Sequence, residues 1–245
     1  MMATNSSTKL DMYLSTSTQP LFSALGDWMK EELGRIDNRI TRQSGFCFGQ
    51  ICGIDFAKAD PGTYSYLATL SLKDKAVPPG YYHSVLITPL HGGLEKLEDF
   101  NPSKHPVAIN EWGSFSGSVV FSSHMLGRSD KKFPKFIKSG GHLNSIKLVS
   151  AGKVMLAAID RLSLNMACVE LPQEIEHIRI LGTTRDYPGL PFVVPGKLAT
   201  DDVDLLTQHL LDFAETEVFA KFAPYLGVDG IKRLSSADYA GMGRL

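Results

Sequence analysis

Three cysteines in 245 residues rule out a disulfide-stapled scaffold. Cys47 and Cys52 are not spaced as CxxC, and with Cys168 they complete no zinc set. Buried thiols are the expected reading, with a Cys47–Cys52 bridge left open should the protein be exported. No stretch approaches the ~20 apolar residues needed to span a bilayer. Met1–Lys9 is polar, without the basic-then-apolar pattern of a secretory leader. Charge of one sign is missing too. The 25 Lys and Arg against 26 Asp and Glu leave a net charge of −1, which argues against nucleic acid. The longest basic cluster, Lys131, Lys132, Lys135 and Lys138, reads as a solvated face. Absent also are the Lys-[ST] ending of a nucleotide P-loop and the G-x-S-x-G of a nucleophile elbow.

What is present is an ordinary globular composition, 43% hydrophobic and 21% charged. Leu10, Met12 and Leu14 alternate with polar residues and predict a first strand. Pro20 opens a helix carrying Leu21, Leu25, Met29 and Leu33 on one face. Strands are expected at 46–52, 64–72, 83–88, 107–110, 154–159, 178–183 and 192–194. Helices are expected at 116–125, 143–150 and 162–170, with a further one capped by Asp201 or Asp202 and carrying Val203, Leu206, Leu210 and Phe213. Strands alternating with helices predict α/β layers with largely parallel sheets. The chain is expected to leave one lobe near 89–104 and return near 186–189. That gives a discontinuous lobe 1 (1–88 with 190–245) and an inserted lobe 2 (105–185).

The chemistry concentrates in Ala108-Ile-Asn-Glu-Trp-Gly-Ser-Phe-Ser-Gly-Ser118, a buried strand running through a Gly/Ser loop into a helix. A helix N-terminus has unpaired N–H groups and partial positive charge, and Ser114 and Ser116 add hydroxyl donors, so the loop can cradle an anion. An ordinary Ser-rich cap is the alternative. Ser139-Gly-Gly-His142 offers a second N-terminus, where His142 is either a ligand donor or a surface cap. Asp160 stands at the end of an apolar strand, where open α/β sheets bind ligands. It also suits the cap of the following helix.

In this order and spacing, Asn110–Gly117, Ser139–Ile146 and Gly152–Asp160 resemble the phosphonate/phosphate substrate-binding proteins of ABC importers. Leu181–Thr184, Pro188–Phe192 and Gly49–Gly53 are similar to further family segments. The resemblance implies a two-lobed type 2 periplasmic-binding-protein fold, each lobe a mainly parallel sheet flanked by helices. Two crossovers would hinge the lobes around a small anionic ligand of phosphate, phosphite or phosphonate type. Carried onto this chain it puts Ser114, Ser116 and Gly117 on the anionic oxygens, with His142 as a further donor and Asn110 and Phe115 also among the ligand-binding positions. Asp160 would read the other end, and Tyr13, Ser15 and Gln50 would come from the first lobe. An ABC permease is the implied partner, and no cofactor or metal is implied. Location would be periplasmic if a leader was removed, cytoplasmic if the chain is whole. Phe115 stands where the family carries a hydroxyl, so Phe115 and Trp112 are expected to make the mouth more apolar. Two other readings stay open. One is a cytosolic enzyme of cofactor-precursor synthesis pairing Cys47 or Cys52 with His83, His91 or His142. The other is a sensor with an apolar patch near Tyr81-Tyr82 or Phe133–Phe136.

Overall fold

The computed structural model describes residues 8–36, 40, 45–126 and 135–244. Lys131, Lys132 and Phe133 lie outside them. The chain forms two compact units, Met1–Tyr81 with Pro188–Arg244 and a continuous Tyr82–Tyr187.

In the first unit the order is β1 (Thr8–Lys9), α1 (Gln19–Arg35), β2 (Phe48–Gln50), α2 (Gly53–Lys58) and β3 (Tyr64–Leu72), with β4 (Tyr81–Tyr82) at the crossing. The second unit runs β5 (Ser84–Pro89), β6 (Val107–Ile109), a π-helical turn (Phe115–Val119), α3 (Val120–Leu126), β7 (Phe136–Lys138) and α4 (His142–Ser150). It continues with β8 (Leu156–Asp160), α5 (Arg161–Glu170), α6 (Pro172–Ile175) and β9 (Ile178–Thr183). After β10 (Tyr187–Pro188), the first unit is completed by β11 (Pro191–Pro195), α7 (Thr200–Asp212), α8 (Glu217–Phe222) and β12 (Val228–Lys232).

The first unit's sheet is ordered β1-β2-β11-β3-β12. Only β1 with β2 is parallel; the other pairs are antiparallel. The second unit's sheet is ordered β7-β6-β8-β5-β9, parallel at β6–β7 and β6–β8 and antiparallel where β5 meets β8 and β9. Both sheets are therefore mixed, where mainly parallel ones were expected. The strand that runs against the others is β5 in the second unit, and β11 and β12 run against β1, β2 and β3 in the first. The first crossing falls at Tyr81/Tyr82 rather than within 89–104, so β5 belongs to the second unit. The second falls at Tyr187/Pro188.

No strand forms over Leu10–Leu14; the first strand is Thr8–Lys9, just before them. Met12 and Leu14 are exposed, and Tyr13 between them is the buried side chain. A three-residue alternation was too short to fix a buried face. α7 starts at Thr200 after Ala199, so Asp201 and Asp202 lie in its first turn, where acids favour the helix dipole, and neither is the cap. α1 and α7 clasp each other reciprocally. Trp28 Nε1 donates to the His209 carbonyl at 2.8 Å, His209 Nε2 lies 2.9 Å from the Trp28 carbonyl, and the rings stack at 4.9 Å.

The second unit's sheet buries an apolar layer on each face. Val85, Ile87, Ala157 and Ile159 pack under α4 and α5, while Leu86, Val107, Ile109 and Ala158 pack under Phe121 of α3. Period-2 alternation along β5 and β8 sends successive residues to opposite layers. Ser84 and Asp160 are therefore paired across the ladder on the α3 side. Tyr82 and Phe136, named above as patch residues, are respectively buried and packed edge-on against Phe121.

Candidate functional site

Because β5 runs opposite to β6 and β8, one edge of the second unit's sheet collects the ends of β6 and β8, the start of β5 and the end of β9. Asn110, Asp160, His83, Ser84 and Thr184 all stand on it. The two loops after β6 and β7 are joined there: Ser139 N–H donates to the Ile109 carbonyl at 2.8 Å and Gly140 N–H to the Asn110 carbonyl at 2.9 Å. Gly140 has φ +82°, a left-handed conformation that favours glycine.

The serine loop enters α3 through a widened turn. Val120 N–H donates to the Phe115 carbonyl, a five-residue step characteristic of a π turn. The Ser114 carbonyl accepts from Ser118 and Val119, and its hydroxyl accepts from Gly117 N–H at 3.4 Å. The N–H groups of Phe115 and Ser116 have no partner among the described residues. Ser84 Oγ donates to the Ser116 carbonyl at 2.9 Å, which ties the loop to β5. A Cβ on Gly117 would meet Asn110 Oδ1 at 1.8 Å, so the Asn110 amide can lie on this turn only while residue 117 is glycine.

His142, at the start of α4, meets this loop. Its Nε2 is 2.9 Å from Ser116 Oγ and 3.3 Å from Asn110 Nδ2. With the amide nitrogen facing it, Nε2 is an acceptor, so the ring proton sits on Nδ1. Nδ1 is buried without a partner, as is Asn110 Oδ1. Desolvation holds the His142 pKa down to about 4, below the usual 6.5. The ring is therefore neutral at pH 7, and what it can offer an anion is the single N–H of a neutral imidazole. The edge thus brings together Asn110, Ser114, Ser116, Gly117 and His142.

Asp160 is buried and caps α5, accepting from Leu162 N–H at 2.8 Å and Ser163 N–H at 3.3 Å. Its cross-strand neighbour Ser84 links it to the Ser116 turn. Phe115 does not line a mouth: it is 1% exposed and packs edge-on against Tyr187 at 4.8 Å. Trp112 is 61% exposed but leans back onto Phe136, which is level with Val107 at the far end of β6. The expected apolar mouth therefore does not form from this pair.

Tyr13, Ser15 and Gln50 belong to the first unit. Tyr13 is buried, and its carbonyl accepts from Thr18 Oγ1. Ser15 Oγ lies 3.0 Å from Thr18 Oγ1 and 3.1 Å from Ser17 Oγ in the turn that enters α1. Gln50 Nε2 donates to the Leu190 carbonyl at 3.2 Å, and its Oε1 is buried without a partner. Cys47 and Cys52 lie in the first unit too, in no disulfide, while His83, His91 and His142 lie in the second. The described residues hold no group of His, Cys, Asp and Glu able to bind a metal ion. None of their helices is long and apolar enough to cross a membrane.

Sequence reasoning missed a part-buried relay on the same edge. His83 Nδ1 lies 3.1 Å from Asp186 Oδ1, and Arg161 Nε donates to His83 Nε2 at 3.2 Å. The pair Asp160-Arg161 at a strand-to-helix step and Arg185-Asp186 before the second crossing were its only signals.

Comparison with known proteins gives one answer at the level of family. Residues 48–239 match the family described as ABC transporter, phosphonate, periplasmic substrate-binding protein. No curated sequence matches. Among solved structures, the binding protein component of an ABC phosphonate transporter from Pseudomonas aeruginosa aligns at TM-score 0.74 and 15% identity, over 95% of this chain and 82% of that one. A Prochlorococcus marinus protein in complex with methylphosphonate aligns at TM-score 0.68 and 14% identity, over 97% and 96%. A Xanthomonas citri protein bound to ATP aligns at TM-score 0.66 and 12% identity, over 97% and 96%. At these identities the structures establish the fold, the two-lobed one of periplasmic binding proteins. With 48–239 covering most of its length, the chain belongs to the phosphonate ABC-transporter family of periplasmic substrate-binding proteins.

Proposed function

We propose that this chain captures a small tetrahedral oxyanion (phosphate, phosphite or a phosphonate) for an ABC permease, on the periplasmic side of the membrane. The oxyanion would sit at Ser114–Gly117 of the second unit. One observation carries this reading: the widened turn has two unpartnered N–H groups, and His142, whose Nε2 meets Ser116 Oγ at 2.9 Å, has a buried, unpartnered Nδ1. Buried donors without partners are costly, about 1–3 kcal/mol each, and a bound oxyanion relieves them. The donors are neutral dipoles, which suits reversible capture in a transport cycle.

Asp160 completes the site differently. Its carboxylate would repel an unprotonated dianion and favours a ligand with a hydroxyl, an amine or a remaining proton. A solved phosphonate complex with the same fold supports the ligand class. Isothermal titration with phosphate, phosphite and methylphosphonate tests the proposal. Saturable binding to at least one is expected, with Ser116→Ala weakening it about tenfold. Absence of heat with all three would remove the reading.

A further inference from the structure

Arg161 is the first residue of α5, directly after Asp160 on the edge that carries the serine turn. It stands one strand over from Asn110. The parallel register pairs Val107 with Leu156 and Ala108 with Ala157. Extended by two residues, it sets Asn110 level with Ile159, and neighbouring strands lie about 4.8 Å apart.

The guanidinium is held in a defined pose. Arg161 N–H donates to the His83 carbonyl at 3.1 Å, and its Nε donates to His83 Nε2 at 3.2 Å. A guanidinium nitrogen only donates, so His83 Nε2 accepts and its proton sits on Nδ1, donated to Asp186 Oδ1 at 3.1 Å. His83 is 7% exposed while the Asp186 side chain is 32% exposed, so the relay is oriented and part-buried. It fixes the base of the fork while neither Nη1 nor Nη2 has a hydrogen-bond or ion-pair partner among the described residues. A permanent cation with its outer donors unspent, held by His83, the residue next to the Ser84 whose hydroxyl donates to the Ser116 carbonyl of the turn, is built to receive a carboxylate end-on through two parallel N–H···O bonds.

We infer that Arg161 reads a second anionic group, a carboxylate joined by a short carbon chain to the phosphorus held at the serine turn. The inference rests on the oxyanion reading above and narrows it to phosphonocarboxylates. His83 and Asp186 are positioning residues, acting through Arg161.

The test is titration with two probes, methylphosphonate and 3-phosphonopropionate, on wild type, Arg161→Gln and Arg161→Lys. Wild type is expected to bind 3-phosphonopropionate about tenfold more tightly, the scale of one charge-assisted bidentate contact at a partly exposed site. Arg161→Gln should bring the two affinities together while methylphosphonate binding persists. Arg161→Lys keeps the charge but loses the fork, so it should lose most of the ratio and serves if the glutamine variant does not fold. A structural clamp alone would weaken both probes equally and leave the ratio intact. That result, or a wild-type ratio near one, overturns the inference while the oxyanion reading stands. Failure of both probes to bind wild type overturns both.

Discussion

At the scale of single residues, the second unit keeps His142 neutral by burying it. Protonation costs desolvation with no carboxylate contact to repay it, and the pKa falls to about 4. The sign of the consequence follows. Between pH 6.5 and about 4 the unfolded chain binds a proton at this position that the folded chain refuses, so stability is complete above 6.5 and is lost as pH falls through that window. The slope is about 1.4 kcal/mol per pH unit at most. Urea unfolding of wild type at pH 7 and pH 4.5 should differ by more than that of His142→Gln, whose side chain does not titrate. Equal differences would show that the ring is solvated. Ligand affinity at pH 7 should respond to Ser116→Ala through a second route, since the hydroxyl also orients the ring by its 2.9 Å contact with Nε2. None of this was legible in sequence beyond the Ser-Gly-Gly-His pattern, because the burial that sets the pKa comes from Asn110 and Ser116, about thirty residues away along the chain.

At the scale of elements, the π turn over Phe115–Val119 depends on one missing methyl group. Gly117→Ala would place a Cβ 1.8 Å from Asn110 Oδ1, so either Asn110 leaves His142 or the turn shifts. Such overpacking costs about 1–3 kcal/mol. We expect a loss of that size in urea unfolding together with loss of oxyanion binding. An alanine variant with wild-type affinity would show that the turn is not the site. The elements themselves were largely readable: 64–72 and 178–183 agree to the residue, and α1, α4, α5 and α7 lie where periodicity put them. Strand direction was not, because β5 and β11 are buried runs that look alike in either orientation, and each runs against both of its neighbours. The Pro78-Pro79-Gly80 run stands immediately before the first crossing. Asn110, Ser114, Ser116, Gly117 and His142 were readable from motif order. The His83–Arg161–Asp186 relay was not, because its members are spread over a hundred residues and meet through the pairing of β5 with β8 and β9.

At the scale of the whole molecule, the two units differ in how the chain builds them. The second is one continuous segment, 82–187, with its own five-stranded sheet and an apolar layer on each face. The first is assembled from two segments that meet where β11 pairs with β2 and β3. Contacts between sequence-distant strands must overcome loop-closure entropy, which the second unit's continuous chain partly avoids. The excised segment 82–187 should therefore fold alone and unfold in one cooperative urea transition, with an m value of about 1–3 kcal/mol/M. It retains every residue of the proposed oxyanion cradle and lacks Tyr13, Ser15 and Gln50. Titrating it with methylphosphonate beside the full chain separates the contributions. Weaker but measurable binding would assign the remainder to the first unit, where the buried Gln50 Oε1 without a partner is the first position to mutate. Affinity equal to that of the full chain would leave Tyr13, Ser15 and Gln50 with no part in recognition, their side chains serving the α1 turn and the β2–β11 pairing alone. A folded segment with no affinity would locate the essential donors outside the serine turn and would set aside the cradle as the anion site.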